Sequence, residues 1–206
     1  MQKPSILANL KHEPISYSDL RYNADGFCTI YKNSEVLSYC QVFRNGITET
    51  LDVRLMSYTK DREGATLPWN STEKYLVKNI VKRTRFLTNL GIPKPWYIFI
   101  SFLDAKGYIT NLATHNIYQW EEMKPIDKDI VNATECVWNE DEQNLFEVLR
   151  PALDSLANAF GLSKSPNYDK AGKYNFENYL ATIRIIWETT VNSVNYCNFN
   201  LYVTNA

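Results

Sequence analysis

The sequence predicts an α+β fold: a mixed, mainly antiparallel sheet that starts with a β-meander, with helices packed on one face. Three observations carry this. Asn45-Gly46 divides a β-rich run, "NSTEKYLVKNIVKRTRFLTNLGIPKP" holds the start and stop signals of a long helix, and "WYIFISFLD" is a continuous apolar run of strand composition. The 206 residues suffice for one sizeable core. Residues 1 to 24 are polar and contain Pro4 and Pro14, and are expected to be an extended lead-in or linker. Residues 25 to 206 show no internal repeat or strong boundary and are expected to form a single α+β domain.

The meander is expected over 26 to 32, 37 to 44 and 47 to 57. A type I′ turn centred on Asn45-Gly46 sets Arg44 opposite Ile47, Val42 opposite Glu49 and Cys40 opposite Leu51. Period two then places Ile47, Leu51, Val53 and Leu55 on the apolar face. Glu49 has the parity of that face and so does Arg44, diagonally across the ladder. A lone buried charge costs several kcal/mol, so the two are expected to pair and fix the register. The sharper reading makes Arg44 an anion ligand at a pocket mouth.

Cys28 and Cys40 face one another if the loop between their strands is Asn33 to Glu35, and fall out of step with a two-residue loop. They are expected to be reduced, buried side chains. With Cys136 and Cys197 they make no Cys-x-x-Cys spacing, and His12 and His115 stand alone, so no metal site is expected.

The helix is expected near 72 to 90, with Asn70 or Ser71 as N-cap, Glu73 in the first turn, Gly91 past the end and Pro93 beyond. Leu76, Ile80, Phe86, Leu87 and Leu90 form its apolar face, interrupted by Arg83. Lys74, Lys78, Lys82 and Arg85 form a basic stripe. Such a stripe is either a solvated face or a contact for a phosphate backbone or an acidic chain. If Arg83 and Arg44 converge they make a cationic pocket; if they do not, Asp25 or Glu49 are candidate neutralising partners.

"WYIFISFLD" is expected to be a strand buried on both faces, with "KGYITNLA" returning beside it. Asp127 and Asp129 are expected on an exposed turn. The second helix starts at Asn139 as cap, with Glu142 three residues on, and runs through Leu145, Leu149, Leu153, Leu156 and Phe160; Pro151 should kink or split it. Residues 176 to 190 fit a helix, but their β-branched content leaves strand open.

A formal charge of −1 gives no global attraction to nucleic acid or lipid. Fourteen Tyr and five Trp serve either a mixed core or base stacking, for which Trp69 and Trp96 lie nearest the basic stripe. No signal peptide or run of ~20 apolar residues is found, so a soluble, cytoplasmic protein that does not enter membranes is expected. No phosphate loop, zinc-protease, hydrolase or kinase motif occurs, so neither an enzyme nor a cofactor is expected. The remaining enzymatic reading is an acidic site at Asp127 and Asp129.

The order of "YNADGFCTIYKNSEVLSYCQVFRNGITET", "EKYLVKNIVKRTRFLTNLGIPKPWYIFISFLDAKGY", "PIDKDIV" and "LRPALDSLANAFG" with "PNYD" resembles the C-terminal module of bacterial Schlafen AlbA-like DNA-binding or ATP-binding proteins. Tyr22, Asp25, Gly26, Phe43, Arg44, Asn45, Gly46, Glu49, Leu90, Gly91, Ile92, Pro95, Lys106, Gly107 and Tyr108 carry the match. The Schlafen domain itself lies upstream in those proteins, and its residues are not in this chain. The resemblance therefore implies an accessory module, sensing a ligand or partner or driving assembly, in a regulatory or anti-phage defence protein. Arg44, Glu49 and Arg83 are its expected ligand- or partner-binding residues, with a protein partner or a second copy as the occupant. The alternative is a nucleic-acid-binding module using Lys74, Lys78, Lys82, Arg85, Trp69 and Trp96.

Overall fold

A computed structural model of the chain describes residues 19–32, 36–53, 66–111, 124–139, 144–175 and 198–205. In chain order the elements are β1 Asp19–Asn23, β2 Gly26–Lys32, β3 Val36–Phe43, β4 Thr48–Val53, β5 Thr66–Pro68, α1 Trp69–Asn89, β6 Trp96–Leu103, β7 Ile109–Asn111, β8 Ile130–Asn132, β9 Cys136–Trp138, α2 Leu145–Asn158 and β10 Asn198–Asn205. The fold is α+β with a mainly antiparallel sheet, as the sequence predicts. The end of the expected lead-in is itself β-structure, because β1 pairs antiparallel with β2. The expectations for Leu55 and for residues 176 to 190 lie outside the described residues.

The hairpin between β3 and β4 departs from the expected register. Three residues, Arg44, Asn45 and Gly46, form the loop: the Phe43 amide donates to the Ile47 carbonyl at 2.8 Å and the Gly46 amide to the Phe43 carbonyl at 3.1 Å. Gly46 takes a left-handed φ of 90°, the conformation that ends a three-residue loop. The extra residue shifts β4 by one position, so Val42 pairs with Thr48, Cys40 with Thr50 and Ser38 with Asp52. A one-residue shift exchanges the faces. Thr48, Thr50 and Asp52 are buried beneath the helices, while Leu51 and Val53 are half-buried on the other face. The hydroxyl of Tyr75 on α1 donates to Asp52 Oδ2 at 3.0 Å, which gives the buried carboxylate a partner.

The expected Arg44–Glu49 pair does not form. Tyr39 donates its hydroxyl to Glu49 Oε1 at 2.6 Å, on the face away from the helices. Arg44, in the loop, is exposed and donates from Nε to the Ala24 carbonyl at 3.1 Å.

The sheet runs β1-β2-β3-β4-β10-β6-β8, with β9 also paired to β6. β10 lies between β4 and β6 and is antiparallel to both. β6 is buried on one face and not two: Trp96, Ile98, Ile100 and Phe102 are buried, whereas Tyr97, Ser101 and Leu103 are half-buried and Phe99 is exposed. The reason is that the helices cover a single face, so the other half of the apolar run remains near solvent. Nor does the segment after β6 return beside it. Asp104 at φ 53° and Gly107 at φ 85° turn the chain away, and β7 pairs in parallel with β5 in a separate two-stranded sheet.

α1 follows Pro68 directly, which lacks a side-chain cap bond; Asn70 and Ser71, the expected caps, lie inside the helix or at its first turn. Its end matches expectation. Gly91 at φ 69° donates to the Thr88 carbonyl and Ile92 to the Leu87 carbonyl, the paired bonds of a Schellman stop. α2 is capped by Asn144, whose side chain accepts from the Phe146 amide at 3.0 Å, and not by Asn139. Pro151 does not split it: the helix continues through the residue, whose ring is exposed. Leu145, Leu149, Leu153, Leu156 and Phe160 are all buried, and join Leu76, Ile80, Phe86, Leu87 and the β6 residues in one core.

Gly26 shows how closely the sheet is drawn together at its turns. A Cβ there would lie 2.1 Å from the Val42 carbonyl oxygen, and the residue holds φ 154°. Gly26→Ala is expected to cost roughly 3 kcal/mol in urea unfolding. A loss under about 1 kcal/mol would show that β2 and β3 can separate there without penalty.

Candidate functional site

α1 begins so that Trp69 and Glu73, four residues apart, share its buried face. Glu73 is 0 % exposed. Its Oε2 accepts from the Ser165 hydroxyl at 2.6 Å, across to the segment that follows α2. That segment leaves the helix through Gly161 at φ 82° and is tied down in turn. The Ser165 amide donates to Asp154 Oδ1 at 2.8 Å, the Asn167 amide to Ser165 Oγ at 3.2 Å, and the Tyr168 hydroxyl to the Phe146 carbonyl at 2.5 Å. Tyr174 stacks on Phe146 with centroids 5.2 Å apart, and Trp69 meets Phe160 edge-on at 5.7 Å.

The carboxylate thus lies among Ser165, Asn167, Trp69 and Tyr174, each of which favours its charge. Only Ser165 closes a bond of good geometry: Glu73 Oε1, Trp69 Nε1 and Asn167 Nδ2 are buried with no hydrogen-bond partner. Burial therefore prevails and raises Glu73 to about 7. The Tyr174 and Tyr168 hydroxyls are pushed upward, first by burial and next by the Glu73 charge. A carboxyl poised near neutrality is able to exchange a proton at physiological pH. It is enclosed, and the hydroxyl bonded to it belongs to the segment after α2.

The residues expected to form a site are dispersed. Arg44 sits at the turn end of the sheet. Glu49 points from the face opposite the helices, and Arg83 is 2 % exposed on α1, so neither a cationic pocket nor an Arg83–Glu49 pair forms. In the stripe, Lys74, Lys78 and Lys82 are half-buried and Arg85 is exposed. Trp69 and Trp96 are buried at 0 % and 2 %, so their faces are closed to nucleic-acid bases. Asp127 and Asp129 are exposed, as expected, and no cluster of three metal-ligating side chains occurs among the described residues. No helix among them is long and apolar enough to cross a membrane.

Sequence reasoning assigned Glu73 to a helix start and missed Ser165 and Asn167. The signal was present in part: Glu73, Leu76, Ile80 and Leu87 follow one helical stripe, so the carboxylate heads an apolar face. Comparison with known proteins gives no match to a family model, to a curated protein or to a solved structure.

A carboxyl whose pKa rises from 4.5 to about 7 on folding carries a definite pH signature. Its stabilising contribution is complete below about pH 4.5 and is lost as pH climbs through about 7, a change of roughly 3 kcal/mol. Glu73→Gln removes this dependence. The variant should therefore gain on the wild type in urea unfolding as pH rises through that window; a constant gap would contradict the raised pKa.

Proposed function

We propose that this chain is a non-catalytic accessory domain that senses or binds a partner, of the kind the Schlafen AlbA-like resemblance implies in a bacterial regulatory or defence protein. The supporting observation is that the motifs behind the resemblance meet one another as structural joints. The turn at Asp25-Gly26 is bonded to the turn at Arg44 through the Arg44 amide at 2.8 Å and its Nε at 3.1 Å. The Gly107 amide donates to the Ile126 carbonyl and the Ile126 amide to the Tyr108 carbonyl, which joins "KGY" to "PIDKDIV". Glu73, which opens "EKYLVKN", bonds to Ser165 beside "PNYD". Residues committed to joints hold a scaffold together, and the chemistry left for recognition is at the surface.

The surface that suits a partner is the turn end of the sheet. Tyr22 is 68 % exposed, Arg21 is exposed beside it, and Arg44 is held by two bonds. Tyrosine and arginine are the side chains that most often dominate protein interfaces, and a pre-positioned arginine loses little entropy on binding. Burial of three free thiols, Cys28, Cys40 and Cys136, suits a reducing compartment and thus the cytoplasm. The nucleic-acid alternative loses its stacking residues to the core and keeps only the partly buried lysine stripe.

Light scattering with and without short oligonucleotides, at low and moderate salt, tests this reading. The expected result is no oligonucleotide complex, together with a mass that rises with concentration and falls back in Tyr22→Ser/Arg44→Ser. A salt-sensitive oligonucleotide complex would overturn it in favour of the basic stripe.

A further inference from the structure

We propose that residues 163–175 form a latch on the N-terminal turns of α1, closed while the Glu73 carboxyl is neutral and released as it becomes ionised. The two sides of the contact come from distant parts of the chain. α1 supplies Trp69 and Glu73, and the latch supplies Ser165, Asn167 and Tyr174. One bond closes between them, Ser165 Oγ to Glu73 Oε2 at 2.6 Å. The other carboxylate oxygen, Oε1, closes no hydrogen bond, and Trp69 Nε1 and Asn167 Nδ2, from two residues that neighbour the carboxyl, are likewise buried with no hydrogen-bond partner. A full negative charge on that oxygen is thus incompletely solvated, whereas a neutral carboxyl tolerates the same enclosure.

Other ionisable groups do not relieve this. The latch carries Tyr168 and Tyr174, both neutral at physiological pH, and its charged side chains, Lys164, Asp169, Lys170 and Lys173, are exposed to solvent. On α2, Asp154 and Arg150 are paired at 3.7 Å, with Arg150 also 5.3 Å from the Tyr168 ring centroid, and β9 contributes the Cys136 thiol near Tyr168. Arg150, the basic residue of α2, is thus already committed to Asp154. Opening the latch lets water reach the carboxylate, so the charge favours the open form. The free energy is linked to pH through Glu73, whose carboxyl moves from about 7 when enclosed toward 4.5 when hydrated.

Hydrogen exchange tests the latch directly, because the Asn167 and Asn175 amides are bonded within it and the Ser165 amide ties it to Asp154 of α2. Corrected for intrinsic rates, their opening equilibrium should rise by up to roughly two orders of magnitude between about pH 5 and about pH 8. Amides of the β2–β3 ladder should change far less. Glu73→Gln should flatten the latch response. Ser165→Ala, which removes a bond that favours the charged form, should move its midpoint upward. An unchanging wild-type latch, an equal slope in Glu73→Gln, a lowered midpoint in Ser165→Ala, or sheet amides that rise in step with the latch would each overturn the proposal.

Discussion

The sheet is continuous because β10 enters it between β4 and β6. Without that strand, the meander and the β6 group would each present an open edge of unpaired N–H and C=O groups. Asn198 pairs with Val53 on one side, and Asn205 pairs with Trp96 on the other, so ladders of six residues on either flank join segments far apart in sequence. The loop entropy of such distant pairing rises slowly with length, whereas each ladder bond and each buried side chain above it adds in full. The helices depend on the same arrangement. The buried face of β6 and that of the meander become one floor, and α1 and α2 can then bury their stripes in a single core.

On that floor the meander contributes polar side chains. Ser38, Thr48, Thr50 and Asp52 lie under α1, where Tyr75 meets Asp52, whereas β6 contributes Trp96, Ile98, Ile100 and Phe102. The core is thus graded, from apolar beneath α2 to polar beneath the side of α1 that faces β4. The Tyr75–Asp52 bond fixes one arrangement of helix on sheet more firmly than interchangeable aliphatic contacts do, at some cost in stability, since the Ser38 and Thr50 hydroxyls are buried with no hydrogen-bond partner. The Glu73 joint follows the same logic at the other end of the contact, where a segment with little secondary structure of its own is held by side-chain bonds.

Much of this was legible in the sequence wherever the signal was local. The α+β class, the meander, the Gly91 stop of α1, the apolar stripe of α2 and the exposure of Asp127 and Asp129 all follow from short-range chemistry. The misreadings came where a long-range choice decided between local options. Asn-Gly serves a two-residue or a three-residue hairpin loop, and the second, which the chain adopts, turns Thr50 inward and Leu51 outward. The apolar run at 96–103 does not reveal how many of its faces the helices cover. Glu73 has the composition of an ordinary helix-start residue until Ser165, 92 positions away, arrives against it. Arg44 and Glu49 were sound candidates as charges, but their pairing rested on a register that the loop did not adopt.

The bulge in the first hairpin has a further consequence. Three residues separate the paired Lys32 and Val36, a spacing that, continued down the ladder, would set Cys28 opposite Cys40. The irregularity between Tyr31 and Lys32 shifts the register by one, so Cys28 meets Gln41, Cys40 meets Thr29, and the two thiols point to opposite faces. A hairpin lacking this bulge would bring them within crosslinking range, and oxidation would then fix the wrong register covalently. The bulge is therefore also a safeguard: it makes the native strand pairing the one in which these two sulfurs cannot be joined.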